Sequence, residues 1–205
     1  TKEKDIALDV SKRLAKKIQR NSKTKVLLTR DEDVFVRLQD RTKFANANEG
    51  DLFISIHTNA ATDRRASGFE TFLIGTNKNE EAARVAAREN SALEFEGLSA
   101  AGLTNETFIQ EKLAEMAQTD FAAKSEQFAA MVQNQISKRV QSKDRGVKQA
   151  SFYVLWGASM PNVLIELGFI SNPNEEKKLN SSSYRDMLAT SIYYAIVEYQ
   201  KSLND

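Results

Sequence analysis

Asp51–Asn59, DLFISIHTN, constrains the fold more than any other stretch, because it is apolar on both faces of an extended chain and carries the sequence's only histidine. In strand geometry Leu52, Ile54 and Ile56 point to one side and Phe53, Ser55 and His57 to the other. A strand covered on both sides belongs in a mostly parallel α/β sheet with helices on each face. Open α/β sheets place their ligand sites at the carboxyl ends of their strands, and His57 falls there. A second such strand, Asn162–Ile170 (NVLIELGFI), sets Glu166 among apolar neighbours. A carboxylate so placed needs an ionic partner, a proton or a metal.

The remaining elements follow from periodicity. Ile6, Val10, Leu14 and Ile18 recur every four residues, which predicts an amphipathic helix from about residue 5. Val26–Thr29 reads as a short strand, Phe35–Asn48 as a helix and Phe69–Ile74 as a strand beyond Gly68. From Glu80 the strand signals stop. Residues 80–120 hold nine acidic and three basic residues, a net of −6 against +7 for the rest of the chain. Gly97 and Gly102 divide this block into helical pieces near 80–94 and 105–118. It reads either as a solvated hairpin or as an acidic cover over a cationic site. Phe121, Phe128, Val132, Ile136 and Val140 then predict a core-facing helix, followed by strands at Phe152–Trp156 and Val163–Phe169. A short helix from Pro173 to about Leu179 and a terminal helix over Tyr184–Leu203, capped by Ser181–Ser183, end the chain. The expected organisation is one domain over 1–205: a mostly parallel twisted sheet, helices on both faces and a helical insertion at 80–120.

Several function classes drop out. The absence of cysteine excludes disulfides and thiolate metal ligands. A formal charge of +1, with basic residues clustered no further than Lys-Lys and Lys-Arg pairs, leaves no footprint for nucleic acid. No run is apolar enough to span a membrane. No glycine-rich loop follows a strand, which removes the nucleotide-binding α/β domains.

Three residues remain at positions where one site could form: Glu3 at the start of the first helix, His57 and Glu166. A histidine and a carboxylate are suitable zinc ligands, and a second, non-ligating glutamate is the general base of many metal hydrolases. The structural alternatives are a dipole-favoured acid at a helix start for Glu3 and a buried salt bridge from Glu166 to Arg30 or Arg41.

These residues also carry a resemblance. Lys2-Glu3-Lys4-Asp5, Leu28-Thr29-Arg30 with Asp33, Arg41 before Ala45-Asn46-Ala47-Asn48, the segment Asp51–Ala60, Gly68-Phe69-Glu70 and Met160–Asn172 resemble the zinc-dependent N-acetylmuramoyl-L-alanine amidases of bacterial cell-wall turnover. The resemblance spans the chain except roughly 80–120. It implies one zinc ion with Glu3 and His57 as ligands, Glu166 as the catalytic glutamate, and peptidoglycan as substrate, cut at the amide between the muramic-acid lactyl group and L-alanine. It implies a periplasmic or cell-envelope location. Block 80–120 resembles the helical insertion of the periplasmic cell-division amidases, which occludes the zinc and is moved by an activator protein. Glu89, Glu94 and Glu96 are the carboxylates that could fill the open metal position.

One departure qualifies the match. The family's first ligand is a histidine in an Asp-Pro-Gly-His-Gly-Gly-type turn after its first strand, upstream of the position of Glu3, and this sequence contains no such turn. That strand and turn are expected to precede residue 1 in the full-length protein, and these residues alone are expected to hold metal weakly or not at all. The rival reading is a degenerate amidase-like module that binds peptidoglycan without cleaving it.

Overall fold

The computed structural model describes residues 1–76, 79–98 and 120–203. Helices α1 (Glu3–Asn21) and α2 (Leu38–Ala47) precede strands β1 (Phe53–Asn59) and β2 (Phe69–Ile74). Next come α3 (Glu80–Asn90), a 3-10 turn at Ser91–Glu96, α4 (Phe121–Ser137) and β3 (Asp144–Ala150). After a 3-10 turn at Tyr153–Leu155, β4 (Asn162–Phe169), α5 (Pro173–Leu179) and α6 (Ser182–Ser202) complete the chain. No helix among the described residues is long and apolar enough to cross a membrane.

The strands order as β1-β4-β2-β3, with β1/β4 and β2/β3 parallel and β2/β4 antiparallel. This is the α/β arrangement expected, with helices on both faces. On one face Val163, Ile165, Leu167, Phe69 and Leu73 pack against α1, α4 and α6, where Ile6, Val10, Leu14 and Ile18 supply the buried stripe of α1. On the other, Phe53, Phe72, Ile74 and Leu164 meet Leu38 of α2, Ala82, Val85 and Ala86 of α3, and Leu93. Each large side chain buried this way contributes about 1.5–3 kcal/mol. The two faces fix the register of β4, because a slip of one residue would exchange Ile165 for Glu166.

A buried carboxylate fastens the sheet at the carboxyl end of β4. Glu175 in the first turn of α5 accepts from the backbone N–H groups of Gly68 at 3.0 Å and Phe169 at 2.8 Å, and from Ser142 Oγ at 2.7 Å. It therefore ties the start of β2 to the end of β4. Gly68 is required at this junction: its φ is +113°, and a Cβ would lie 2.3 Å from the carbonyl oxygen of Lys143.

Three expected elements are corrected. Val26–Thr29 forms no ladder: the outer edge of β1 has no strand partner among the described residues, and a groove of about 810 Å³, lined by Val26, Leu28, Ile54 and Ile56 among others, separates the two. Strand propensity cannot yield a strand without a neighbour in reach. Phe152–Trp156 coils through a 3-10 turn, and its apolar side chains are buried in that form, Phe152 against Phe72 with ring centroids 4.8 Å apart. The real strand at this point is β3, whose half-exposed DRGVKQA lacks a hydrophobic signature. The helix expected from Phe35 begins at Leu38. The piece expected near 105–118 lies outside the described residues.

Candidate active site

The sheet register brings the two strand residues together. His57 pairs with Glu166 across β1 and β4, and Glu70 pairs with Glu166 across β2 and β4, all near one rim on the face covered by α3. α1 then supplies Glu3, whose Oε1 lies 3.0 Å from His57 Nδ1 and accepts from the Thr58 N–H at 3.3 Å.

α3 supplies the third group. Glu89 Oε2 lies 2.7 Å from the same His57 Nδ1, and the ligand atoms of Glu3, His57 and Glu89 all fall within 4.8 Å of one another. Two carboxylate oxygens converging on one ring nitrogen is the informative detail. A single N–H can point well at only one of them, so the arrangement suits a cation held between all three. Two oxygens and one nitrogen are a donor set that zinc accepts. The other ring nitrogen, Nε2, lies 2.9 Å from Ser55 Oγ. If Nδ1 faces a metal, Nε2 carries the proton and donates to this hydroxyl, which fixes ring and tautomer. The residues present therefore fit a zinc ion.

Charge follows the same geometry. Burial works against a charged imidazole, but the Glu89 charge and the hydrogen bonds to Glu3 and Glu89 outweigh it, and the His57 pKa rises to about 10. Burial likewise opposes ionisation of Glu89, but the His57 charge beside it and Arg88 hold its carboxyl down to about 2. Glu166 behaves oppositely. It is fully buried, neither oxygen has a hydrogen bond among the described residues, and burial together with the nearby Glu89 charge lifts its pKa well above the carboxylate range. Its pKa is strongly displaced in the direction a proton-transferring carboxyl requires.

Arg88, next to Glu89, places Nη2 3.8 Å from Glu166 Oε1 and donates through Nη1 to the carbonyl of Ala60 at 2.8 Å and to Asn59 Oδ1 at 3.2 Å. Consecutive residues of α3 thus lie against the two candidate site residues, Glu89 beside His57 and Arg88 beside Glu166. The salt bridge expected from Glu166 to Arg30 or Arg41 does not form: Arg30 donates to the carbonyls of Lys4 and Glu32, and Arg41 to that of Val36.

Of the three acidic residues expected to face the site, the structure brings only Glu89 to it. Glu96 accepts instead from the Leu38 N–H at 2.8 Å, capping α2, and Glu94 is exposed on the 3-10 turn. Helical phase carried the signal: Ala82, Val85, Ala86 and Glu89 recur at three- and four-residue steps, so Glu89 extends the buried stripe of α3. Arg88, Ser55 and Asn59 were not legible as site residues, since each acts through a neighbour that only the fold supplies.

Residues 1–198 match the family described as N-acetylmuramoyl-L-alanine amidase. The chain is 34% identical over 201 residues to the N-acetylmuramoyl-L-alanine amidase AmiC of Escherichia coli O6:H1, covering 97% of this chain and 48% of that protein. It is 33% identical over 202 residues to AmiA of Escherichia coli K12, covering 97% and 68%. It thus spans about half of one relative and two thirds of the other. Among solved structures, the N-acetylmuramoyl-L-alanine amidase from Clostridium difficile 630 superposes with a TM-score of 0.72 at 28% identity, covering 98% of this chain and 86% of that one. AmiC2 of Nostoc punctiforme gives 0.69 at 25% identity, covering 97% and 84%. With its fold shared and its length matched from residue 1 to 198, the chain belongs to the N-acetylmuramoyl-L-alanine amidase family.

Proposed function

We propose that this chain is the catalytic domain of a zinc-dependent peptidoglycan amidase that cuts between N-acetylmuramic acid and the L-alanine of the stem peptide, and that α3 holds it shut. The protein acts in the periplasm or cell envelope, in wall turnover and separation of daughter cells. An activator protein that engages the 80–120 insertion would release it.

The observation that carries this reading is the convergence of Glu89 and Glu3 on His57 Nδ1, at 2.7 and 3.0 Å. Glu3, His57 and Glu89 would hold the ion, which when bound polarises the scissile carbonyl and acidifies water. A catalytic zinc keeps three protein ligands and one open position. The groove along the open edge of β1 is of a size and lining to take an extended segment. With Glu89 among the donors, the position that an attacking water needs would be taken. Moving Glu89 away restores the opening.

Glu166 has the buried carboxyl, without a hydrogen bond among the described residues, that would accept the proton of an attacking water and return it to the departing amine. While α3 is closed, the Arg88 guanidinium stands over that carboxyl and occupies the approach to it.

The direct test compares the full-length protein with its Glu89→Ala variant for muropeptide release. The variant should be at least about tenfold more active, since an open ligand position is a condition of turnover. Equal or lower activity in a folded variant would overturn closure by Glu89. The single histidine of these residues favours the rival, a binding-only module. That reading expects retention of peptidoglycan with no release by either protein.

A further inference from the structure

We propose that Arg145 and Lys148 form a subsite for a free carboxylate on the peptide side of the scissile bond, occupied by Glu81 while α3 is closed. The proposal rests on the amidase reading and names part of its substrate specificity.

Both cations stand beside the buried Glu70. Arg145 Nε donates to Glu70 Oε2 at 3.1 Å and Lys148 Nζ to the same oxygen at 2.6 Å, while the other oxygen takes Asn59 Nδ2 at 2.7 Å. Glu70 supplies one negative charge to two cations, so the sheet leaves one positive charge over. Glu81 of α3 provides the balance, with one oxygen on Arg145 Nη2 and the other 3.0 Å from Lys148 Nζ. Its side chain is 41% exposed, against 12% for Arg145 and 16% for Lys148, so the carboxylate is the detachable partner. The cations keep their places without it. Arg145 also donates to the Ser67 carbonyl at 3.2 Å and lies 5.1 Å over the Phe169 ring, and Glu70 anchors Lys148. A planar guanidinium beside an ammonium is a pairing that carboxylates bind well.

α3 thus sets a side chain of opposite character against three places on this rim: Glu89 beside His57, Arg88 3.8 Å from Glu166 and Glu81 on the cation pair. Moving the helix uncovers all three at once. Glu70 pairs directly with Glu166, and β3 lies beyond β2, so the cations stand two strands, roughly 10 Å, from the catalytic carboxyl. An extended peptide advances about 3.3–3.6 Å per residue. A carboxylate two or three residues past the cut bond would therefore reach them, and acidic stem peptides carry one on the second residue and, with a diaminopimelate, on the third.

The test uses muramoyl tripeptides ending in diaminopimelate with the chain-terminal carboxyl amidated throughout, and with the second residue's carboxylate and the diaminopimelate side-chain carboxylate both free or either one amidated. Binding is measured on the full-length Glu81→Gln, Glu89→Ala, Glu166→Gln protein and turnover on Glu81→Gln, Glu89→Ala, so that Glu81 no longer competes for the subsite. Amidating the carboxylate that fills the subsite should weaken binding about tenfold, the scale of one charge-assisted hydrogen bond, and the arm affected identifies the residue. Lys148→Gln should weaken the free acid by a similar factor and leave the matching amide unchanged, with KM moving and kcat not. Equal affinity for all three peptides, or a Lys148→Gln loss shared by all, would overturn the subsite. The peptide comparison needs no change at Lys148, so it decides even if that variant unfolds. Discrimination in binding without turnover would keep the subsite and remove the amidase reading; turnover without discrimination would do the reverse; absence of both would remove both.

Discussion

Glu166 has the least favourable surroundings of any carboxyl at the rim, buried with both oxygens lacking a hydrogen bond among the described residues. Stability alone would have replaced it with an amide or an apolar group, since a buried carboxyl without hydrogen bonds is destabilising. Glu166→Gln in the full-length protein should therefore leave thermal stability unchanged or slightly higher and leave zinc content intact. Muropeptide release should fall by about 10²–10⁴, the range for loss of a general acid–base group. An active Gln variant would show that the proton goes elsewhere. Gly68 makes the opposite case, a residue whose importance is wholly conformational. With φ at +113° and a carbonyl 2.3 Å from any added Cβ, Gly68→Ala should destabilise the fold by about 2–4 kcal/mol. A circular-dichroism melt should register this as a clear drop in Tm, and an unshifted melt would mean that the β2 entry relaxes without disturbing Glu175.

At the scale of elements, α3 is anchored through its carboxyl end and the 3-10 turn beyond it. Leu93 of that turn is fully buried, Asn90 Nδ2 donates to the Ser151 carbonyl at 2.8 Å, and Glu96 caps α2. Deleting residues 90–118 removes these anchors while leaving Glu89, so basal activity of the full-length protein should rise as α3 loosens. Unchanged or lower muropeptide release from a folded deletion variant would count against closure by this segment. The same elements show what could be read from the chain. β1 and β4 were legible because apolar residues on both faces admit few structures but a covered strand, and the stripes of α1, α4 and α6 because burial there repeats every turn. β3 was not, because an edge strand with Lys148 and Gln149 needs β2 beside it to exist. Phe152–Trp156 misled because its apolar side chains are buried by packing, which does not require a ladder, and Val26–Thr29 because its strand propensity finds no neighbouring strand among the described residues. Glu3, His57 and Glu166 could be named from the sequence because their chemistry is rare at such positions. Arg88 and the Glu70–Arg145–Lys148–Glu81 network could not, because their roles arise from charges brought together across strands.

Across the whole molecule, the site joins parts that the core only partly couples. Glu3 begins α1 on one face of the sheet, His57 lies within β1, and Glu89 ends α3 on the other face. An ion bound by all three should therefore stabilise the closed state as a unit. At a free concentration one hundred times its dissociation constant, zinc should add about 2.7 kcal/mol, or about 5–10 °C in Tm for a domain of this size. Chelation should reverse the shift. Glu89→Ala sharpens the expectation, because the two readouts should move in opposite directions. Loss of one donor reduces the zinc-dependent rise in Tm, while opening the coordination position increases turnover. A carboxylate with only a packing role would lower both or neither, so melting curves with and without zinc, run beside the muropeptide assay on the same two proteins, separate a ligand that restrains the enzyme from a side chain that merely supports it.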